Sequence, residues 1–199
     1  MVNHKYKFIF IHIPKCAGTT IKGLGILHPC ESLMNISTKK NAHPQYEDIK
    51  KYLGNQNIDI NDYFKFSFTR NPWSWRVSHF EYAKKMHRNN LGIYGSHQYS
   101  KLKNLSFKDF IKTHGDFLQF DYLSNMKNEL SVDFVGKFEN LKKDFNIVCD
   151  KIGIPRQQLP HANKSKHKHY TEYYDEETKE LVAKKYAKDI EYFGYEFGD

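Results

Sequence analysis

Three short apolar runs punctuate the chain, and the stretches between them carry apolar residues at helical spacing. Tyr6 to Ile13 (Y-K-F-I-F-I-H-I) is rich in β-formers and is stopped by Pro14, which predicts a buried first strand. Tyr63 to Thr69 (Y-F-K-F-S-F-T) alternates with Phe64, Phe66 and Phe68 on one face, and predicts a second strand ending at Arg70. Val132 to Phe138 (V-D-F-V-G-K-F) predicts a third. After the first strand a helix is expected from Thr19 or Thr20 to about Leu27, with Gly18 easing the turn before it. A second helix is expected over Tyr46 to Leu53. Pro72 suits the first turn of a helix running to about His87, since the N–H it lacks has no partner there. Ser106 caps S-F-K-D-F-I-K-T. Leu141, Phe145, Val148 and Ile152 mark a helix that stops at Gly153, and Leu181, Val182, Tyr186 and Ile190 mark a last one from about Glu176 to Tyr192.

Strands alternating with helices predict an α/β fold with a central, mostly parallel sheet flanked by helices. No repeat, low-complexity tract or long linker interrupts the pattern, so residues 1–199 are expected to form one domain. A chain of this length buries roughly 70% of its unfolded surface and needs neither disulfides nor metals for a core. With 39% hydrophobic and 16% aromatic residues it is not a disordered protein. No apolar run reaches the roughly 18 residues of a membrane span, and His12 and Pro14 cut the first one too short for a signal-peptide core.

Charge and cysteine content narrow the picture further. Lys and Arg number 31 against 23 Asp and Glu, a net charge of +8. The lysine pairs are dispersed along helical stretches, where solvated faces are their ordinary meaning, so no nucleic-acid partner is expected. Asn163 to Tyr170 (N-K-S-K-H-K-H-Y) is the one concentrated basic segment. Cys16, Cys30 and Cys149 are odd in number and lack C-x-x-C spacing, which suits a reducing compartment.

Two segments carry the chemistry. His12 to Thr20 (H-I-P-K-C-A-G-T-T) joins a strand to a helix, where free backbone N–H groups and the helix dipole favour an anion, with Lys15, Thr19 and Thr20 adding side-chain donors. It is not G-x-x-x-x-G-K-[ST], because the lysine precedes the glycine. An ordinary βα turn with Gly18 as breaker is the competing reading. Thr69 to Ser78 (T-R-N-P-W-S-W-R-V-S) also joins a strand to a helix, so Arg70 and Ser78 would face one ligand beyond the carboxyl ends of neighbouring strands. A capping arginine and a solvated serine are the plainer alternative.

These two segments resemble the sulfotransferases that use 3′-phosphoadenosine 5′-phosphosulfate (PAPS), in particular the carbohydrate branch of heparan sulfate 2-O- and chondroitin-type enzymes and many small bacterial proteins. The resemblance continues through F-x-G-x-F-E-N-L at Phe134 to Leu141 and L-P-H-x-N-K-S-K-H-K-H-Y…Y-Y-D-E-E-T at Leu159 to Thr178. It implies a P-loop-like, three-layer α/β fold. It implies that Lys15, Cys16, Ala17, Gly18, Thr19 and Thr20 bind the 5′-phosphosulfate, with Lys15 at the bridging oxygen. It implies that Arg70 and Ser78 bind the 3′-phosphate and that Lys164, Ser165 and Lys166 belong to a late loop closing over the nucleotide. The second arginine of the family's motif falls on Trp75, with Arg76 beside it.

Sulfuryl transfer is an in-line displacement that needs a positioned donor, a stabilised leaving oxygen and a deprotonated acceptor hydroxyl. Lysine, arginine and helix-start amides meet the charge requirement without a metal, and lysines around His161, His167 and His169 oppose a cation there, so no metal is expected. Among 11 histidines, His43 stands where the resembling family carries a histidine proposed as base. His12 is the second candidate, although a histidine ending a buried strand is more often hydrogen-bonded structure. Glu47 and Asp48 are candidates to orient the base. The acceptor is expected to be a saccharide hydroxyl, with specificity between Met86 and Asn104. Animal members of the branch are Golgi membrane proteins; with no anchor readable here, the expected location is the cytoplasm of a microbe or virus. The competing function is a P-loop-like nucleotide kinase or phosphate-binding protein, against which stand the missing G-K-[ST] and the absence of a strand-end Asp for magnesium. A non-catalytic binder of acidic polymers has only the charge in its favour.

Overall fold

The computed structural model describes residues 1–31, 43–88, 105–114, 117–159 and 168–199. These residues form two compact units, Met1–Arg70 with Leu118–Lys164, and Asn71–Phe117 with Ser165–Asp199. Among the described residues there are four strands in one sheet and eight α-helices, a mixed α/β architecture.

The first unit holds the sheet, ordered β1 (Val2–Asn3), β2 (Phe8–Ile11), β3 (Phe64–Thr69), β4 (Phe134–Lys137). β1 runs antiparallel to β2, and the β2–β3 and β3–β4 pairs are parallel, with Ile11 opposite Ser67 and Thr69 opposite Lys137. β1 has too short a pattern to read from sequence. β2 is shorter than the apolar run that predicts it, because the ladder stops at Ile11 and the chain turns toward Pro14. Phe8, Ile9, Phe10 and Ile11 are all fully buried, so both faces of this strand are covered. The same holds for β3, whose polar positions Lys65, Ser67 and Thr69 are buried beside Phe66 and Phe68. Ser67 Oγ donates to the Ile11 carbonyl at 2.7 Å, and Lys65 Nζ pairs with Asp133 at 2.9 Å. Phe66 stacks on Phe10 at 5.2 Å between ring centres, and Phe68 meets Phe145 at 6.4 Å.

Four described α-helices complete this unit together with short 3-10 turns: α1 (Gly18–Lys22), α2 (Tyr46–Gly54), α5 (Gln119–Leu123) and α6 (Leu141–Ile152). The helix expected to reach Leu27 ends at Lys22, and Gly25–Leu27 forms a separate 3-10 turn. α6 matches the apolar spacing and closes at Gly153 in the left-handed region, φ 72°.

The second unit is helical: α3 (Pro72–Arg88), α4 (Phe107–Thr113), α7 (Glu176–Lys185) and α8 (Ala187–Phe193). Asn71 Oδ1 accepts from the Trp73 and Ser74 N–H groups, capping α3 directly before Pro72. Ser106 caps α4 as expected, accepting from the Asp109 N–H. The single helix expected over 176–192 is broken at Tyr186, φ −111° and ψ 23°, whose buried ring lies edge-on to Trp75 at 5.8 Å. Tertiary seating of one aromatic overrides an unbroken helical pattern.

Candidate active site

Because β2 and β3 are parallel neighbours, the segments that leave them emerge at one edge of the sheet. The β2–α1 loop makes its turn through left-handed backbone at Lys15, φ 65°, and Ala17, φ 63°. Such conformations cost a non-glycine residue about 1–2 kcal/mol and persist where surrounding structure holds them. The first α-helical bond joins the Ile21 N–H to the Ala17 carbonyl, so the N–H groups of Gly18, Thr19 and Thr20 precede the helical ladder. Cys16 and Thr20 are buried, Thr19 is exposed and Lys15 is partly exposed.

Arg70, one residue beyond β3, reaches this loop. Its Nη1 lies 3.4 Å from the Lys15 carbonyl, and its guanidinium sits 4.2 Å above the Phe138 ring. The fully buried Gln119 at the start of α5 holds the Arg70 backbone from both sides. Gln119 Oε1 accepts from the Arg70 N–H at 2.8 Å, and its Nε2 donates to the Arg70 carbonyl at 2.7 Å. The Cys16 thiol donates to the same Oε1 at 3.5 Å.

The two candidate histidines also meet. The rings of His12 and His43 are edge to face, 4.5 Å between centres at 86°. Together with Phe10, Lys22, Pro44 and Ile49 they line a small cavity. Gly18 is required here: a Cβ on it would fall 1.8 Å from His12 Nε2. His12 Nδ1 is shut off from solvent and has no hydrogen-bond partner among the described residues. The hydrogen-bonded structural role usual for such a histidine is therefore not what this nitrogen shows.

Burial, and after it the neighbouring His43, Lys22 and Lys15, hold His12 far below the ordinary imidazole value, at about 2. His43 is lowered to about 4, first by burial and then by the Lys22 charge. Lys22 is itself lowered by burial. Both imidazoles are neutral at pH 7, each with a lone pair able to take a proton, and His43 is the more basic of the two.

Several expectations change at this point. Asp48 Oδ2 accepts from the Gln45 N–H at 2.9 Å and so caps α2, while Glu47 accepts from the Met126 N–H at 3.0 Å. Neither is engaged in orienting His43, which leans on His12 instead. Arg76 is 4% exposed within the helical unit, donating to the His114 carbonyl at 3.0 Å and lying 4.6 Å above Phe110. Ser78 is buried on α3 of that unit. Lys164, Ser165, Lys166, His161, His167 and the 89–104 segment lie outside the described residues. Lys22 and Gln119 were not legible as site residues. A helix-end lysine and a lone glutamine in an unremarkable stretch have no motif, and only the packing brings them in. Among the described residues, no cluster of three or more His, Cys, Asp and Glu is arranged to hold a metal, and no helix is long and apolar enough to cross a membrane.

A β2–α1 loop with left-handed backbone at Lys15 and Ala17, a strand-end arginine beside it and a pair of packed histidines suit one class, α/β enzymes that transfer an anionic group. The comparison with known proteins is specific within that class, since the sulfotransferase family model matches residues 1–196, and the chain belongs to that family. Its members transfer sulfate to a hydroxyl acceptor, generally from PAPS. An uncharacterized protein of Archaeoglobus fulgidus is 34% identical over 113 residues, which cover 55% of this chain and 82% of that relative. No solved structure matches the chain significantly.

Proposed function

We propose that this sulfotransferase moves the sulfuryl group of PAPS to a saccharide hydroxyl by metal-independent in-line displacement, within one catalytic domain spanning both units. The observation that carries the reading is the contact of Arg70 with the Lys15 loop at the shared edge of β2 and β3. The family match running through both units supports the single domain.

These residues suit an extended nucleotide that carries negative charge at both ends. In a P-loop-like cradle, Lys15, Cys16, Ala17, Gly18, Thr19 and Thr20 surround the 5′-phosphosulfate, using the N–H groups that precede the α1 ladder. Arg70 takes the 3′-phosphate. When bound, PAPS supplies an activated sulfuryl group on a good phosphate leaving group. Lys15 neutralises the charge that grows on the leaving oxygen. His43, neutral at physiological pH, accepts the acceptor's hydroxyl proton as the new bond forms. His12, neutral and wedged over Gly18, keeps the His43 ring in place. Arg76 serves the helical unit's packing, on the His114 carbonyl and the Phe110 ring, and is not assigned to the 3′-phosphate.

A thermal-shift titration with 3′-phosphoadenosine 5′-phosphate (PAP) beside ADP and ATP, with and without magnesium, tests this reading. A ligand at 100 times its Kd adds about 2.7 kcal/mol, a rise of roughly 5–10 °C for a chain of this size. The expected shift is metal-independent and restricted to PAP. A shift with ATP and magnesium alone would replace this reading with a nucleotide kinase.

A further inference from the structure

Beyond the last hydrogen-bonded pair of a parallel sheet, a strand's next peptide normally frays or turns to solvent. Arg70 occupies that position, one residue past the Thr69–Lys137 pair. Its N–H and carbonyl are nevertheless both engaged, by a single side-chain amide that takes the place of a further strand. Gln119 accepts from one and donates to the other, at 2.8 and 2.7 Å. Its oxygen takes the Cys16 thiol as well, at 3.5 Å, so the same amide touches the residue after Lys15. Arg70 closes the circuit through Nη1 to the Lys15 carbonyl.

We infer that Gln119 is a positioning residue that ties the Lys15 loop to Arg70 and sets the spacing at which the two ends of a 3′-phosphorylated nucleotide are held. The inference rests on the proposed donor site. The chemistry demands this side chain. A carboxylate would place an oxygen against the Arg70 carbonyl, an asparagine is one methylene short, and an apolar residue would leave both partly buried Arg70 peptide groups without this partner. With its backbone clamped and its guanidinium over Phe138, Arg70 has little freedom left, and a preorganised arginine loses little entropy on meeting a phosphate.

The experiment compares the Kd of PAP with that of adenosine 5′-phosphate, which lacks the 3′-phosphate, by calorimetry on the full chain. The wild type is expected to favour PAP. Gln119→Met, of similar length without polar atoms, is expected to lose at least tenfold of that preference, about 1.4 kcal/mol. Phe145→Leu, a core change against Phe68, lowers the melting temperature and should leave the preference intact, which separates positioning from general loss of stability. If Gln119→Met does not fold, Gln119→Asn is read in its place, with a several-fold loss expected. A folded Gln119 variant that keeps the full wild-type preference overturns the inference and leaves the donor site standing. A wild type with no preference for PAP instead overturns the donor site itself, and the inference with it.

Discussion

The imidazole of His12 stands edge to face with that of His43, 4.5 Å between ring centres, and Gly18 lies so close to His12 that a Cβ on it would fall 1.8 Å from Nε2. The β2–α1 loop and the proposed base are thereby parts of one packed stack. A change at Gly18 is a change at His43, without any direct contact between them being needed.

Gly18→Ala is the direct test of this stack. Its Cβ would meet His12 Nε2 at 1.8 Å, so the ring must move. We expect a loss of about 1–3 kcal/mol in stability, as for other overpacked sites, together with a large fall in kcat. Adding His12→Ala opens the space, so denaturant melts of the double variant should recover most of the stability of Gly18→Ala without recovering turnover. Additive losses would show that the two residues do not press on each other.

The base assignment predicts an unusual pH profile. His43 must be neutral to act, and its pKa is lowered to about 4, so kcat should stay level from neutral pH down to about 5 and fall only as the pH approaches 4. A limb near 6.5 would point to an exposed histidine instead. His43→Ala should keep PAP binding and lose turnover by roughly 10²–10⁴-fold, the usual worth of a general base.

Stability should follow the same groups with a definite sign. Both histidines have folded pKa values below the ordinary 6.5, so the unfolded chain binds more protons as the pH drops below that value. Their contribution is intact above about pH 6.5 and is lost progressively toward pH 4 for His43 and toward pH 2 for His12. Melting temperatures measured across this range should fall with acid, and more gently in His12→Phe, which has no site to protonate. An identical slope in that variant would remove His12 from the account.

Lys15→Ala is expected to abolish transfer, while Arg70→Ala should mainly weaken nucleotide binding. Hydrogen bonds to charged groups contribute about 1.5–3 kcal/mol, so the Kd for PAP should rise roughly 10–100-fold in Arg70→Ala with the Kd for adenosine 5′-phosphate little changed. Equal weakening of both nucleotides would take the 3′-phosphate away from Arg70.

Gly136 offers a test confined to the fold. A Cβ there would fall 2.4 Å from the Phe68 ring, which crosses β4 at this point. Gly136→Ala should cost about 1–3 kcal/mol by overpacking, read from chemical denaturation. Wild-type stability in this variant would mean that Phe68 has room to swing aside.

Much of the architecture could be read from local pattern. The three apolar runs became β2, β3 and β4, Pro72 opened α3, Ser106 capped α4 and Gly153 ended α6, because each depends on backbone chemistry within a few residues. What local pattern did not reveal depended on distant partners. The break at Tyr186 follows from its place against Trp75, and the burial of Lys65, Ser67 and Thr69 follows from layers covering both faces of β3. The alternation of Tyr63 to Thr69 carried no sign of that second layer.

The site divides along the same line. Linear order was enough to single out the Lys15 loop, Arg70 and His12, because glycine, lysine and threonine at a strand–helix turn have a chemical meaning that spacing preserves, while His43 entered only through the family resemblance. Which groups press on which was settled by folding. Gln119 lies 49 residues from Arg70 and 103 from Cys16 along the chain, yet bonds to both. The acidity of His12 and His43 likewise comes from burial and from Lys22, properties of the packed state that no residue carries alone.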